Sequence, residues 1–101
     1  MALTFDPPIH PGEVLREEFL APLQLSPGSL ARRLAVPRTR IERIIREQAP
    51  VTVDTALRLS RALGTSPQFW LTLQAAYDLA RLGPELGPVL DAMEPIDPLA
   101  A

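Results

Sequence analysis

The chain contains no cysteine, which removes disulfides, thiolate nucleophiles and cysteine-bound zinc together. Its one histidine, His10, lies in a proline-flanked segment without a neighbouring carboxylate pair. Neither a metal cluster nor a histidine-based acid–base site is indicated, so no metal and no cofactor are expected. A glycine-rich phosphate loop is missing, and Ser26, Ser60 and Ser66 have no base partner in the sequence. Catalysis therefore has no residues to rest on. No apolar run approaches the roughly 18 residues that a membrane span needs, and no basic-then-apolar leader opens the chain. A cytoplasmic protein with no membrane partner is expected. Lysine is absent too: all ten basic residues are arginine. Finally, no stretch alternates with a period of two, so strands are not expected and the class is all-α.

What is present is a chain of 101 residues with 47% hydrophobic content, enough for one packed domain. A net charge of −2 argues against an anionic partner until its distribution is read. Residues 32–46 carry Arg32, Arg33, Arg38, Arg40, Arg43 and Arg46 against Glu42 alone, a local +5. Residues 1–31 carry −3 and residues 47–101 carry −4. One basic patch on an acidic body suits a protein that meets phosphate in one place.

Prolines and caps divide the chain. Pro7, Pro8 and Pro11 make residues 1–11 an extended arm. A first helix is expected over 12–21, with Leu15 and Phe19 four apart and Glu13, Glu17 and Glu18 early. Ser26-Pro27 reads as cap then first turn of a second helix over 27–34, buried through Leu30, Ala31 and Leu34. After a tight Ala35-Val36 connection, Pro37 opens a third over 37–47, and Pro50 prevents its continuation. Thr52 caps a fourth over 53–63, with Val53, Ala56, Leu57, Ser60 and Leu63 at helical spacing and Gly64 as its stop. Ser66-Pro67 opens a fifth over 67–82. Residues 83–101 hold four prolines in nineteen and read as a Pro-rich tail, with at most a short helical turn near Val89 to Met93.

The third helix carries the chemistry. At 100° per residue, Ile41, Ile44 and Ile45 fall on one side. Thr39, Arg43 and Arg46 fall opposite, flanked by Arg38, Arg40 and Glu42. A short helix that buries isoleucines and presents Arg and Thr, preceded by another short helix and a tight turn, is a helix-turn-helix. Its second helix enters the major groove of double-stranded DNA. Arg38, Thr39 and Arg43 are expected to read bases, because Arg pairs with guanine and Thr suits a thymine methyl. Arg40 and Arg46, at the edges of this face, are expected on phosphate.

The segment LSPGSLARRLAVPRTRIERIIRE, Leu25 to Glu47, resembles the helix-turn-helix of the phage-repressor or XRE-like family. The flanks PIHPGEVLREEFLAPL, Pro8 to Leu23, and VDTALRLSRALGTSPQFWLTLQAAYDLA, Val53 to Ala80, are similar to the HigA family of toxin–antitoxin antidotes. The resemblance implies a five-helix phage-repressor-like domain over 12–82. It also implies an antitoxin that represses its own operon and neutralises a HigB-like mRNA-cleaving toxin. Two positions depart from the pattern: Ala35 replaces the usual turn glycine, and Pro27 replaces a phosphate-binding Gln, whose phosphate contact is expected from Ser29, Arg32 or a backbone N–H instead. The alternative is a stand-alone XRE-type regulator with no toxin.

The fifth helix is apolar on more than one side. Trp70, Leu71, Gln74 and Tyr77 are expected at a homodimer interface, since large aromatics anchor interfaces and a two-fold protein reads two half-sites. The bland reading is that Trp70 and Tyr77 complete the core against helix one. Asp6, Glu13, Glu17 and Glu18 form an acidic surface, and the latter three are the expected toxin contact, because an RNA-cleaving toxin is basic.

Overall fold

The computed structural model describes residues 7–97 of the chain. Residues 1–6 of the expected arm, Asp6 among them, and the last four residues of the tail lie outside the described residues.

Among the described residues, five helices follow in order. Helix α1 runs through three continuous segments, Pro11–Val14, Leu15–Leu20 and Ala21–Leu23. The middle segment is a π-turn, in which the Ala21 N–H bonds to the Arg16 carbonyl five residues back. That wide turn directly precedes Pro22, whose ring would meet the carbonyl four residues back in a regular α-helix. The expected stop at Pro22 is accordingly passed, and Gln24 ends the helix in the left-handed region at φ 51°. Helices α2, Pro27–Leu34, and α4, Val53–Leu63, match the bounds expected from their caps. The Ser26 hydroxyl accepts from Ser29 N–H, and the Thr52 hydroxyl accepts from Thr55 N–H. Helix α3, Arg38–Ile45, is shorter than expected at both ends. Pro37 is its extended cap rather than its first residue, and Glu47 takes φ 60°.

The largest departure is α5, Pro67–Asp91. It passes through Pro84 and Pro88, where proline composition argued for a stop at Leu82. Both prolines follow a glycine, Gly83 and Gly87. The strain that proline imposes on a helical predecessor comes partly from that residue's Cβ, which glycine lacks. Nine residues of the expected tail are therefore helical, and among its other described residues 93–97 lack regular structure.

One core joins all five helices. Leu15, Leu30, Leu34, Ile41, Ile44, Ala56, Leu59 and Trp70 are its centre. In α4 the inner face is Thr55, Ala56 and Leu59, while Val53 and Leu57, expected inside, are more than half exposed. Removing eight such side chains from water is the main term that holds so small a domain together.

Candidate nucleic-acid interface

Helix α3 is held at both ends and along one side. Its inner face is Ile41 and Ile44, both fully buried, with Ile45 half-buried. Ala35, in the turn before it, takes φ 58°, the left-handed conformation that turns the chain sharply after α2. The Val36 and Ala35 N–H groups bond back to the Ala31 and Arg32 carbonyls, closing the end of α2. At its far end, α1 packs directly on α3. A Cβ added to Gly12 would overlap the carbonyl oxygen of Ile44, so only glycine fits there. Arg16 Nη1 donates to the Ile45 carbonyl, placing a cation where the helix dipole is negative. It also lies 3.8 Å from the Glu47 carboxylate.

With those faces occupied, the remaining face looks outward. Arg38, Thr39, Arg43 and Arg46 are all exposed. Arg38 crosses Gly28 at the start of α2, where an added Cβ would sit 3.3 Å from its Cδ, and pairs with Glu42 at 3.3 Å. Ser29 accepts from Arg32 Nη2 at 3.2 Å, so these two share one exposed position at the foot of α2. Arg40 differs from the rest. It is half-buried, and its Nη1 donates to Asp54 Oδ1 at 2.7 Å. Its guanidinium, expected on phosphate, thus already has a carboxylate partner within the chain. Hydrogen bonds from Arg40 first, then Arg58, hold the Asp54 carboxyl below the usual carboxylate range. Thr39, Arg40, Arg43, Thr52 and Asp54 line a cleft of about 400 Å³ between α3 and the start of α4. Among the described residues, no three His, Cys, Asp or Glu side chains gather to hold a metal, and no helix is long and apolar enough to cross a membrane.

The set expected at a dimer interface divides, and this is a correction. Trp70 has no exposed surface. Its ring lies 5.4 Å from Phe19 and 5.0 Å from Phe69, and Nε1 donates to Thr65 Oγ1 at 2.7 Å. Gln74 is buried too, accepting from Val51 N–H at 2.8 Å and donating to Asp78 at 3.1 Å. Both complete the core of this chain, and neither has surface to offer a partner. Leu71 is half-buried against the same core. Tyr77, also half-buried, closes edge-on over His10 at 4.8 Å. Of the expected toxin contacts, Glu17 and Glu18 are exposed and Glu13 is half-buried; Glu17 pairs with Arg16 at 3.0 Å.

Two structural residues, Asp54 and Arg58, escaped the sequence reading, whereas His10 takes the packing and hydrogen-bonding role at the entry to α1 that the HigA resemblance implies. His10 caps α1: Nδ1 accepts from Gly12 N–H at 2.8 Å while the ring is 3% exposed. His10-Pro11 repeats the cap-then-proline pattern of Ser26-Pro27 and Ser66-Pro67. Burial lowers the pKa of His10 from its ordinary 6.5 against the opposing pull of Glu47 and Asp78. Asp54 and Arg58 stand four apart, which a helical reading allows as a pair, but their contacts with α2 and α3 are tertiary.

The fold recurs in known proteins. The model of the Helix-turn-helix family matches residues 15–70. Virulence-associated protein I of Dichelobacter nodosus is 56% identical over 73 residues, 72% of this chain and 68% of the relative. Antitoxin HigA-1 of Vibrio cholerae is 38% identical over 72 residues, 71% of this chain and 68% of the relative. The solved Pseudomonas aeruginosa antitoxin HigA with higBA promoter superposes with a TM-score of 0.83 at 44% identity, over 89% of this chain and 99% of that one. The antitoxin GraA in complex with its operator gives 0.84 at 40%, over 96% and 98%. The chain belongs to the XRE-type helix-turn-helix family, among the HigA antitoxins.

Proposed function

We propose that the protein is a sequence-specific DNA-binding antitoxin that represses its own operon and neutralises a HigB-like mRNA-cleaving toxin. The observation that carries the DNA-binding part is α3. Its isoleucines are buried while Arg38, Thr39, Arg43 and Arg46 are left exposed together on a rigidly held helix. Related antitoxins solved with promoter or operator DNA support the reading. In it, Arg38, Thr39 and Arg43 read base edges, and Ser29, Arg32, Arg40 and Arg46 hold the backbone.

The test is binding to DNA from upstream of the protein's own gene. Arg43→Ala should cost roughly 1–3 kcal/mol on that DNA and relax sequence preference. Arg46→Ala should weaken binding on any duplex and reduce the salt slope by about one. Unchanged affinity in both variants would remove α3 as the reader. The antitoxin part is tested by co-purification with the product of the neighbouring gene. A triple charge reversal at Glu13, Glu17 and Glu18 should weaken that complex, because a basic toxin is drawn to an acidic surface. If no toxin gene adjoins this one, a stand-alone regulator takes the antitoxin's place.

A further inference from the structure

We infer that Asp54 and Arg58 are positioning residues for DNA recognition, fixing the aim of α3 and of Arg40 upon it. The inference rests on the DNA-binding reading above. It starts from one guanidinium and one carboxylate on α4, four residues apart. Arg58 Nη1 donates to the Leu34 carbonyl at 2.7 Å and to the Ala35 carbonyl at 3.3 Å. These carbonyls lie at the end of α2, where the helix supplies no further N–H partners. They also flank the left-handed turn that sets the angle between α2 and α3. The same guanidinium uses Nε on Asp54 Oδ1 at 2.8 Å, and Arg40 Nη1 meets that oxygen at 2.7 Å. A single chain of contacts thus runs from the turn through Arg58 and Asp54 to a side chain of α3.

Stability does not explain this arrangement. The three side chains are 39–56% exposed, and ion pairs so wet add little to folding. Affinity for an anion does not explain it either. Asp54 places a negative charge in the cleft beside Arg40 and Arg43, which on charge alone opposes phosphate. Geometry does account for it. Arg offers donors in a rigid fork, able to hold two carbonyls and a carboxylate at once, which an ammonium cannot do in the same way. A helix held in register before it meets DNA loses less freedom on binding.

The charge argument makes the experiment decisive, because the two explanations predict opposite signs. Asp54→Asn removes a negative charge beside the DNA face, so charge alone predicts tighter binding to every duplex. Positioning predicts operator binding weaker by about three- to tenfold. The operator loss should shrink when Asp54→Asn is made in an Arg40→Ala background, since only the share carried through Arg58 then remains. Arg58→Lys is the second variant. A direct phosphate contact would survive it with affinity intact, whereas positioning predicts a loss of similar size with the salt slope unchanged, the charge count being kept. Melting temperatures of both variants should stay near wild type. Operator affinity equal to or above wild type in folded Asp54→Asn overturns the inference while leaving the DNA-binding reading in place. Failure of the wild-type protein to bind its upstream DNA removes that reading itself.

Discussion

Three residues show how much hangs on single atoms here. Gly12 touches the backbone of Ile44, which cannot retreat without moving α3. Gly12→Ala is expected to cost about 3 kcal/mol, and thermal melting would show it. Ala35 sits at φ 58°, where a Cβ is disfavoured by about 1 kcal/mol. Ala35→Gly should therefore raise the melting temperature by about 4–8 °C; a lower value would contradict the turn geometry. His10 supplies a pH dependence whose sign is fixed by its cap. Nδ1 accepts a hydrogen bond, so the folded form requires the neutral ring, and burial lowers its pKa. Between the lowered pKa and 6.5 the unfolded chain binds the proton more readily. Stability from this residue is complete above 6.5 and is lost as pH falls through the folded value. His10→Asn keeps a capping side chain and should flatten the melting-temperature profile over that window relative to wild type.

At the scale of elements, the caps were legible and the tertiary work was not. Ser26-Pro27 and Thr52 mark starts that α2 and α4 keep to the residue, because a cap is a local hydrogen bond. The wheel of α3 placed Ile41 and Ile44 inside and the arginines outside, since burial follows helical period. The same logic misplaced Val53 and Leu57, because apolar content marks a stripe without saying which edge of it meets the core. Helix α5 ran past its expected end because glycine and proline were each counted as a helix breaker, whereas a glycine directly before a proline lacks the Cβ that the proline ring would crowd. Arg16 illustrates contacts that no local pattern carries: from α1 it caps the far end of α3 at the Ile45 carbonyl. Arg16→Met keeps the stem and removes that donor. At 38% exposure the loss should be about 1 kcal/mol or less after screening, shrinking further in high salt. A melting difference independent of salt would assign Arg16 to packing alone.

The whole molecule is longer than its core requires. Its extents are 57 × 26 × 24 Å with a radius of gyration of 17.1 Å, against about 13 Å for a compact chain of this length. The excess is the outer half of α5. There Leu79, Leu82, Leu86 and Val89 recur at spacings of three and four, followed by Met93 just beyond the helix, all exposed. That is the apolar seam by which helices pair. A two-fold axis would set two such seams against each other. The homodimer we propose therefore uses the outer half of α5 in place of Trp70 and Gln74, whose side chains are spent on the subunit core. The two assignments separate by experiment. Trp70→Ala should cost about 3–5 kcal/mol of folding stability as a core truncation. A double Leu82→Glu and Val89→Glu variant should leave the subunit folded, since neither residue is in the core. It should sediment as a monomer and lose most operator affinity, because one subunit reads one half-site. Wild-type protein that sediments as a monomer at high micromolar concentration while binding its operator tightly would end the dimer proposal. A double variant that remains dimeric would move the interface off α5.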